Sequence, residues 1–238
     1  MTTTGTAAFN LDVNDLIEEA FERCGSELRT GYDMRTARRS LNLLTIEWAN
    51  RGINLWTIEQ GSIPLVQGTI TYDLPVDTID LLDQVTRTGT GLNQQDININ
   101  RISESTYSTI PNKNAQGRPI QVWINRQSGA VEPVSGIAYP QINVWPAPDQ
   151  SNLYTFVYWR MRRIQDAGTG VTTPDIPFRF LECMVAGLAY KMSMKLPNMD
   201  MNRVVGLKTE YEQQFQLAAE EDREKASIRF VPRIINYR

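Results

Sequence analysis

Apolar residues recur every three or four positions at both ends of this chain and alternate with polar ones through its middle, so helices and sheet must share one fold. Over residues 13–28, Val13, Leu16, Ile17, Ala20, Phe21, Cys24 and Leu28 form one helical face, with Asp12 or Asn14 able to cap its start. A second helix is expected over 33–51, with Met34, Ala37, Leu41, Leu44 and Trp48 inward, Asp33 as cap and Gly52 just past its end. The short link between them predicts an αα-hairpin. A third helix spans 177–196, opened by Pro177 and stopped by Pro197, and a fourth spans 201–226. The third carries a Leu181, Met184, Val185, Leu188, Met192 and Leu196 stripe beside Ala186, Gly187 and Ala189. A glycine inside a helix costs about 1 kcal/mol relative to alanine, so a close-packed neighbouring helix is expected there.

From 54 to 164, Pro, Gly, Asn and Thr punctuate short β-rich runs. Residues 55–66 and 69–74 flank Gln67-Gly68, a hairpin candidate, and 97–99, 120–124 and 142–144 alternate apolar with polar. The strongest strand is 153–161, where Tyr154, Phe156 and Tyr158 form one face and Val157, Trp159 and Met161 the other. A strand apolar on both faces must be covered twice, and the second cover is expected to be a helix or a neighbouring subunit. The expected architecture is therefore α+β. A four-helix bundle from the N- and C-terminal helix pairs (1–53 with 165–226) carries an inserted antiparallel β lobe (54–164) and an extended C-terminal tail (227–238).

Composition narrows the function. There is no histidine, which removes the commonest general base and transition-metal ligand. The net charge of −3, from 24 Lys plus Arg against 27 Asp plus Glu, argues against a protein that grips nucleic acid by counterion release. Asp96, Asn98 and Asn100 imitate a calcium loop, but Arg101 stands where its glycine belongs and Tyr107 where its bidentate glutamate belongs. Gly89-Thr-Gly91 lacks a phosphate-loop lysine, and Asp77, Asp80 and Asp83 interleave with Ile79, Leu81 and Leu82 as a solvated face. No catalytic set, cofactor or metal site is expected, and Cys24 and Cys183 read as core residues. No secretory signal opens the chain, and no apolar run reaches the roughly 18 residues of a membrane span. Arg35, Arg38 and Arg39 make one basic face and Arg160, Arg162 and Arg163 another; solvated charge or ion pairing with Glu18, Glu22 or a neighbouring subunit is favoured over phosphate contact. Trp123, Trp145 and Trp159 could stack on bases or sugars, but packing is favoured.

The order of landmarks resembles head-to-tail adaptor proteins of short-tailed bacteriophages. These landmarks are the capped helix from Asp12, Glu47-Trp48-Ala49-Asn50-Arg51-Gly52 with Leu55-Trp56, Tyr72-Asp73-Leu74-Pro75 and Asn143-Val-Trp-Pro-Ala-Pro148 before Tyr154–Arg160. Pro177-Phe-Arg-Phe180 and Glu221-Asp-Arg-Glu224 with a basic, hydrophobic tail complete the series. The resemblance implies a non-enzymatic virion protein of the neck, assembled in the host cytoplasm. It would form a homo-oligomeric ring, commonly twelve-fold, between portal and tail nozzle, with tail fibres as a possible further partner. DNA would pass through without specific binding. On that reading, Ile228, Arg229, Phe230, Val231, Pro232, Arg233, Ile234 and Ile235 meet the portal. Arg35, Arg38, Arg39, Tyr154, Phe156, Tyr158 and Trp159 meet neighbouring subunits, and Glu220, Glu221, Asp222 and Glu224 line or rim the lumen. Other neck components, a DNA-binding module and a glycan-binding or hydrolytic β-domain are the alternatives.

Overall fold

A computed structural model describes residues 3–28, 31–53, 55–126 and 139–223. The chain divides into two compact units, Met1–Leu55 with Asp166–Arg238, and Trp56–Gln165. The first is helical and the second is β-rich, so the class is α+β. The tail expected over 227–238 lies outside the described residues.

The helical unit contains α1 (Val13–Cys24), α2 (Gly31–Asn50), α4 (Leu181–Ser193) and α5 (Met201–Glu221). Asp12 caps α1 reciprocally: its carboxylate accepts from Asp15 N at 2.8 Å, while Asp12 N donates to Asp15 Oδ2 at 3.4 Å. At the other end of α2, Gly52 adopts φ +83°, the left-handed conformation that glycine takes without strain. Several boundaries move from expectation: α1 ends at Cys24 rather than 28, α4 at Ser193 rather than 196 and α5 at Glu221 rather than 226. The α2 helix already includes Asp33 in its first turn, and a 3₁₀ turn, Phe178–Phe180, precedes α4.

These helices do not form the expected four-helix bundle. Instead, α4 packs against α1, α2 and α5, while α1 and α2 barely meet, so the αα-hairpin is absent too. The physical reason lies in α4, which buries Cys183, Ala186, Gly187 and Ala189 as well as its leucine–methionine stripe. A helix apolar all round belongs in a centre, and its small residues let neighbours approach closely. A Cβ on Gly187 would come within 2.8 Å of Tyr211 Cε2 and 2.9 Å of Leu44 Cδ2, so α5 and α2 both press on this position. Cys24 and Cys183 are free and buried in this core, and Cys24 Sγ donates to Ala189 O at 3.2 Å.

The Glu47-Trp48 stretch locks the periphery to the centre. Trp48 is fully buried and donates Nε1 to Tyr211 OH at 3.2 Å. Glu47 accepts from Tyr211 OH at 3.0 Å, from Lys191 Nζ at 2.7 Å and from Arg51 Nη2 at 2.7 Å. Partial burial alone would raise the Glu47 carboxyl, but these donors outweigh it and hold it below the usual carboxylate range.

The β unit holds two four-stranded sheets. One has the order β1 (Ile58–Pro64), β8 (Tyr154–Arg162), β3 (Thr78–Thr88), β4 (Gln95–Asn98). The other has β2 (Thr71–Asp73), β7 (Gln141–Trp145), β6 (Gln121–Asn125), β5 (Asn100–Ile102), and a one-turn helix α3 (Glu104–Ser108) follows β5. Pairing is antiparallel except between β5 and β6, which run parallel. Leu81, Phe156 and Tyr158 from the first sheet share one core with Val122, Ile142 and Val144 from the second.

Gln67-Gly68 is not a hairpin turn, because β1 pairs with β8 and β2 with β7 in the other sheet. The segment is a crossover, pinned by Tyr72 OH, which accepts from Val66 N at 2.9 Å. Likewise Ile97 and Ile99 do not share a strand; Ile99 is buried at the step from β4 to β5.

Two stability measurements follow. Gly187→Ala gains about 1 kcal/mol of helix propensity but forces aside ring and side-chain atoms that are themselves buried, at a cost of about 1–3 kcal/mol. Denaturant unfolding should therefore show a net loss rather than the usual gain. Glu47→Gln should cost about 1–2 kcal/mol at neutral pH. Because Glu47 titrates low in the folded state, its contribution is present above the ordinary carboxylate range and disappears as pH falls below about 4. The gap between wild type and Glu47→Gln should close on acidification.

Candidate interaction surfaces

The expected interface residues divide sharply. Tyr154, Phe156 and Tyr158 are buried in the lobe's own core, Phe156 completely, so their apolar area needs no neighbouring subunit. Trp159 stays partly exposed on the opposite face of β8. The other tryptophans also have partners within the lobe. Trp123 stacks on Tyr107 with ring centroids 5.2 Å apart, and Trp145 Nε1 donates to Asn112 O at 3.0 Å.

The basic face expected at the end of β8 is largely neutralised internally. Arg160 points into the lobe and is buried, donating to Asp77 Oδ1 at 2.6 Å, Glu59 Oε2 at 2.9 Å and Thr78 Oγ1 at 3.0 Å. Burial works against its charge, but the Asp77 and Glu59 carboxylates more than compensate and raise its pKa. Arg162 donates to Glu59 Oε1 at 2.6 Å. Asp80, part of the supposed solvated face, accepts from Arg101 at 2.9 Å and Arg126 at 3.2 Å. Two members of the aspartate series are thus spent on arginines.

On α2 the arginines behave differently. Arg35 and Arg39 are exposed, Arg38 is half-buried, and among the described residues no carboxylate pairs with any of them. Nor do they reach Glu18 or Glu22. Arg38 Nε is buried without a hydrogen-bond partner among the described residues. Arg39 and Lys195 line a groove of about 460 Å³ with Tyr32 and Pro197, where Lys195 Nζ donates to Ser40 Oγ at 2.6 Å. Burial, and to a lesser degree the nearby Arg39 and Lys191, lowers the Lys195 pKa.

An opposite surface lies at the other end of α4. Leu181 and Val185 floor a groove of about 620 Å³, Phe9 and Phe178 edge it, and Asp15, Glu18 and Glu22 of α1 line it. Arg23 is already consumed there, bonded to Glu182 at 2.7 Å, Glu19 at 3.0 Å and Glu210 at 3.0 Å. Those carboxylates, Glu182 foremost, raise its pKa well above the ordinary arginine range. Among the described residues, no cation pairs with Glu18 or Glu22. This groove joins residues about 160 positions apart in sequence, and its only sequence trace is the spacing of acids on α1.

Of the acidic end of α5, Glu220 is exposed, whereas Glu221 pairs with Arg179 at 3.2 Å and Asp222 accepts from Leu55 N at 3.3 Å. Glu224 and the tail residues Ile228, Arg229, Phe230, Val231, Pro232, Arg233, Ile234 and Ile235 lie outside the described residues.

The contrast between arginine sets is measurable. Arg160→Met removes bonds to two carboxylates and should lower unfolding free energy by about 1–3 kcal/mol. The Arg35→Glu/Arg39→Glu pair, unpaired among the described residues, should stay within about 0.5 kcal/mol of wild type in the same denaturant titration.

The sequence landmarks thus map onto structural joints: the α1 cap, the Glu47–Trp48 lock and the Tyr72 crossover. Compared with the curated proteins, the chain matches none. The family model described as SU10 adaptor protein matches residues 11–233, spanning both units. The chain belongs to the SU10 adaptor protein family and is a phage adaptor-type virion component.

Proposed function

We propose that this chain is a non-enzymatic ring subunit in the neck of a short-tailed phage, joining portal to tail nozzle around the path of DNA ejection. The observation that carries this reading is that Arg35 and Arg39 on α2 are exposed and unpaired among the described residues, on a subunit whose other arginines are mostly paired internally. Charges left unpaired while their neighbours are neutralised mark a surface that meets something else. A heterologous, head-to-tail contact between copies closes into a ring when the rotation permits, twelve-fold being the expected count.

The slightly acidic balance of the whole chain suits a conduit, since every phosphate neutralised by the wall would add affinity and friction. Of the proposed lumen set, Glu220 is exposed at the end of α5, whereas Glu221 and Asp222 already have partners within the subunit. Segment 227–238, carrying Ile228, Phe230, Val231, Ile234 and Ile235 with Arg229 and Arg233, is proposed to add to the portal, in the manner of a strand joining an exposed edge.

Electron microscopy of the purified chain with and without isolated portal tests this reading. Rings seated on the portal by the full chain, and lost when residues 227–238 are removed, are expected. A full chain that stays single and ignores the portal would refute it. Salt-sensitive retention of DNA by the free protein would instead favour a nucleic-acid role for the α2 arginines.

A further inference from the structure

We propose that the exposed stripe of α2 in one copy seats in the acidic, apolar groove between α1 and the start of α4 in the next copy. This rests on the ring reading above and names the two surfaces that make the contact. Tyr32, Arg35, Arg39, Leu43 and Ile46 follow one another at spacings of three, four, four and three, so they share one face of α2. All are exposed: Tyr32 at 66%, Leu43 at 51% and Ile46 at 43%, with both arginines unpaired among the described residues. A helix face carrying apolar anchors and positive charge is the complement of a groove carrying apolar walls and negative charge.

The groove supplies that complement. Phe9 and Phe178 stand 77% and 68% exposed at its edges above the buried Leu181 and Val185. Glu18 and Glu22 are exposed and unpaired among the described residues. Register agrees as well as sign. Arg35 and Arg39 are one turn apart, as are Glu18 and Glu22, so each pair has a rise of about 6 Å along its helix.

The two surfaces share no residue, and both belong to the helical unit. The groove uses the first turns of α4, Leu181 to Val185, whereas Lys195 beside the α2 arginines follows its end. The 13 residues of α4 span about 20 Å, so a copy can give one surface while receiving on the other. A symmetric α2-to-α2 pairing would set arginine against arginine, which charge disfavours. The contact is therefore head-to-tail, the kind that generates rings.

Charge reversal in the full-length protein tests the pairing. Glu18→Lys/Glu22→Lys and Arg35→Glu/Arg39→Glu would be compared with wild type by mass photometry, each alone and mixed in equal amounts, with isolated portal present and absent. Thermal melts would confirm that both variants fold, as their exposed positions lead us to expect. Each variant alone should lose at least tenfold in apparent association, and the mixture should recover rings of alternating copies. A wild-type ring whose mass is unaffected by either variant, or a mixture of folded variants that stays unassembled, overturns the pairing and leaves the ring reading intact. A wild type that never exceeds a single copy under either condition overturns the ring reading itself.

Discussion

The burial of most of α4 is the constraint from which the helical unit follows. Its 13 residues include ten that are buried, and three other helices must be present to cover them. Close approach is possible because Ala186, Gly187 and Ala189 leave room, with Tyr211 and Leu44 filling the space where a Gly187 side chain would stand. Once those helices are drawn to α4, they have little left for each other, which is why a radial cluster forms instead of a bundle with equivalent neighbours. The Glu47–Lys191–Tyr211 network then fixes α2 and α5 on the centre with charge-assisted bonds.

Local signals were legible and non-local ones were not. The Asp12 cap, the Gly52 stop and the stripes of α1 and α2 could be read because capping and periodicity are written within a few residues. What surrounds a helix is another matter: the α4 stripe showed one apolar face, but the small residues between made the whole circumference buriable. Strand β3 went unread because irregular pairing between Thr78 and Asp80, and again between Leu81 and Asp83, breaks its alternation, and its aspartates read only as a solvated face. Gln67-Gly68 has the chemistry of a tight turn, but the strands on either side find partners in different sheets. Of the strand read as apolar on both faces, Tyr154, Phe156 and Tyr158 find their cover in the lobe core, while Trp159 and Met161 on the other face stay partly exposed.

The surfaces divide the same way. Three arginines close together on a helix are visible as a basic face from spacing alone, and α2 presents two of them, Arg35 and Arg39, with Arg38 half-buried. Which arginines are spent cannot be seen in that way: Arg160 and Arg35 are equivalent letters, and only the fold brings Asp77 and Glu59 to the former. The acidic groove is built from α1 and α4, far apart in the chain, and had no signature beyond acids spaced along one helix. The family match covers residues 11–233 and so both units, whereas outward charges set what a scaffold meets.

Hydrogen exchange on the intact chain tests the central role of α4 most directly. If the helical unit is assembled around it, amides of Met184 to Ala189 should exchange only through global unfolding, more slowly than any amide of α1. Exchange of α4 at rates matching α1, or ahead of it, would contradict a structure organised on that helix.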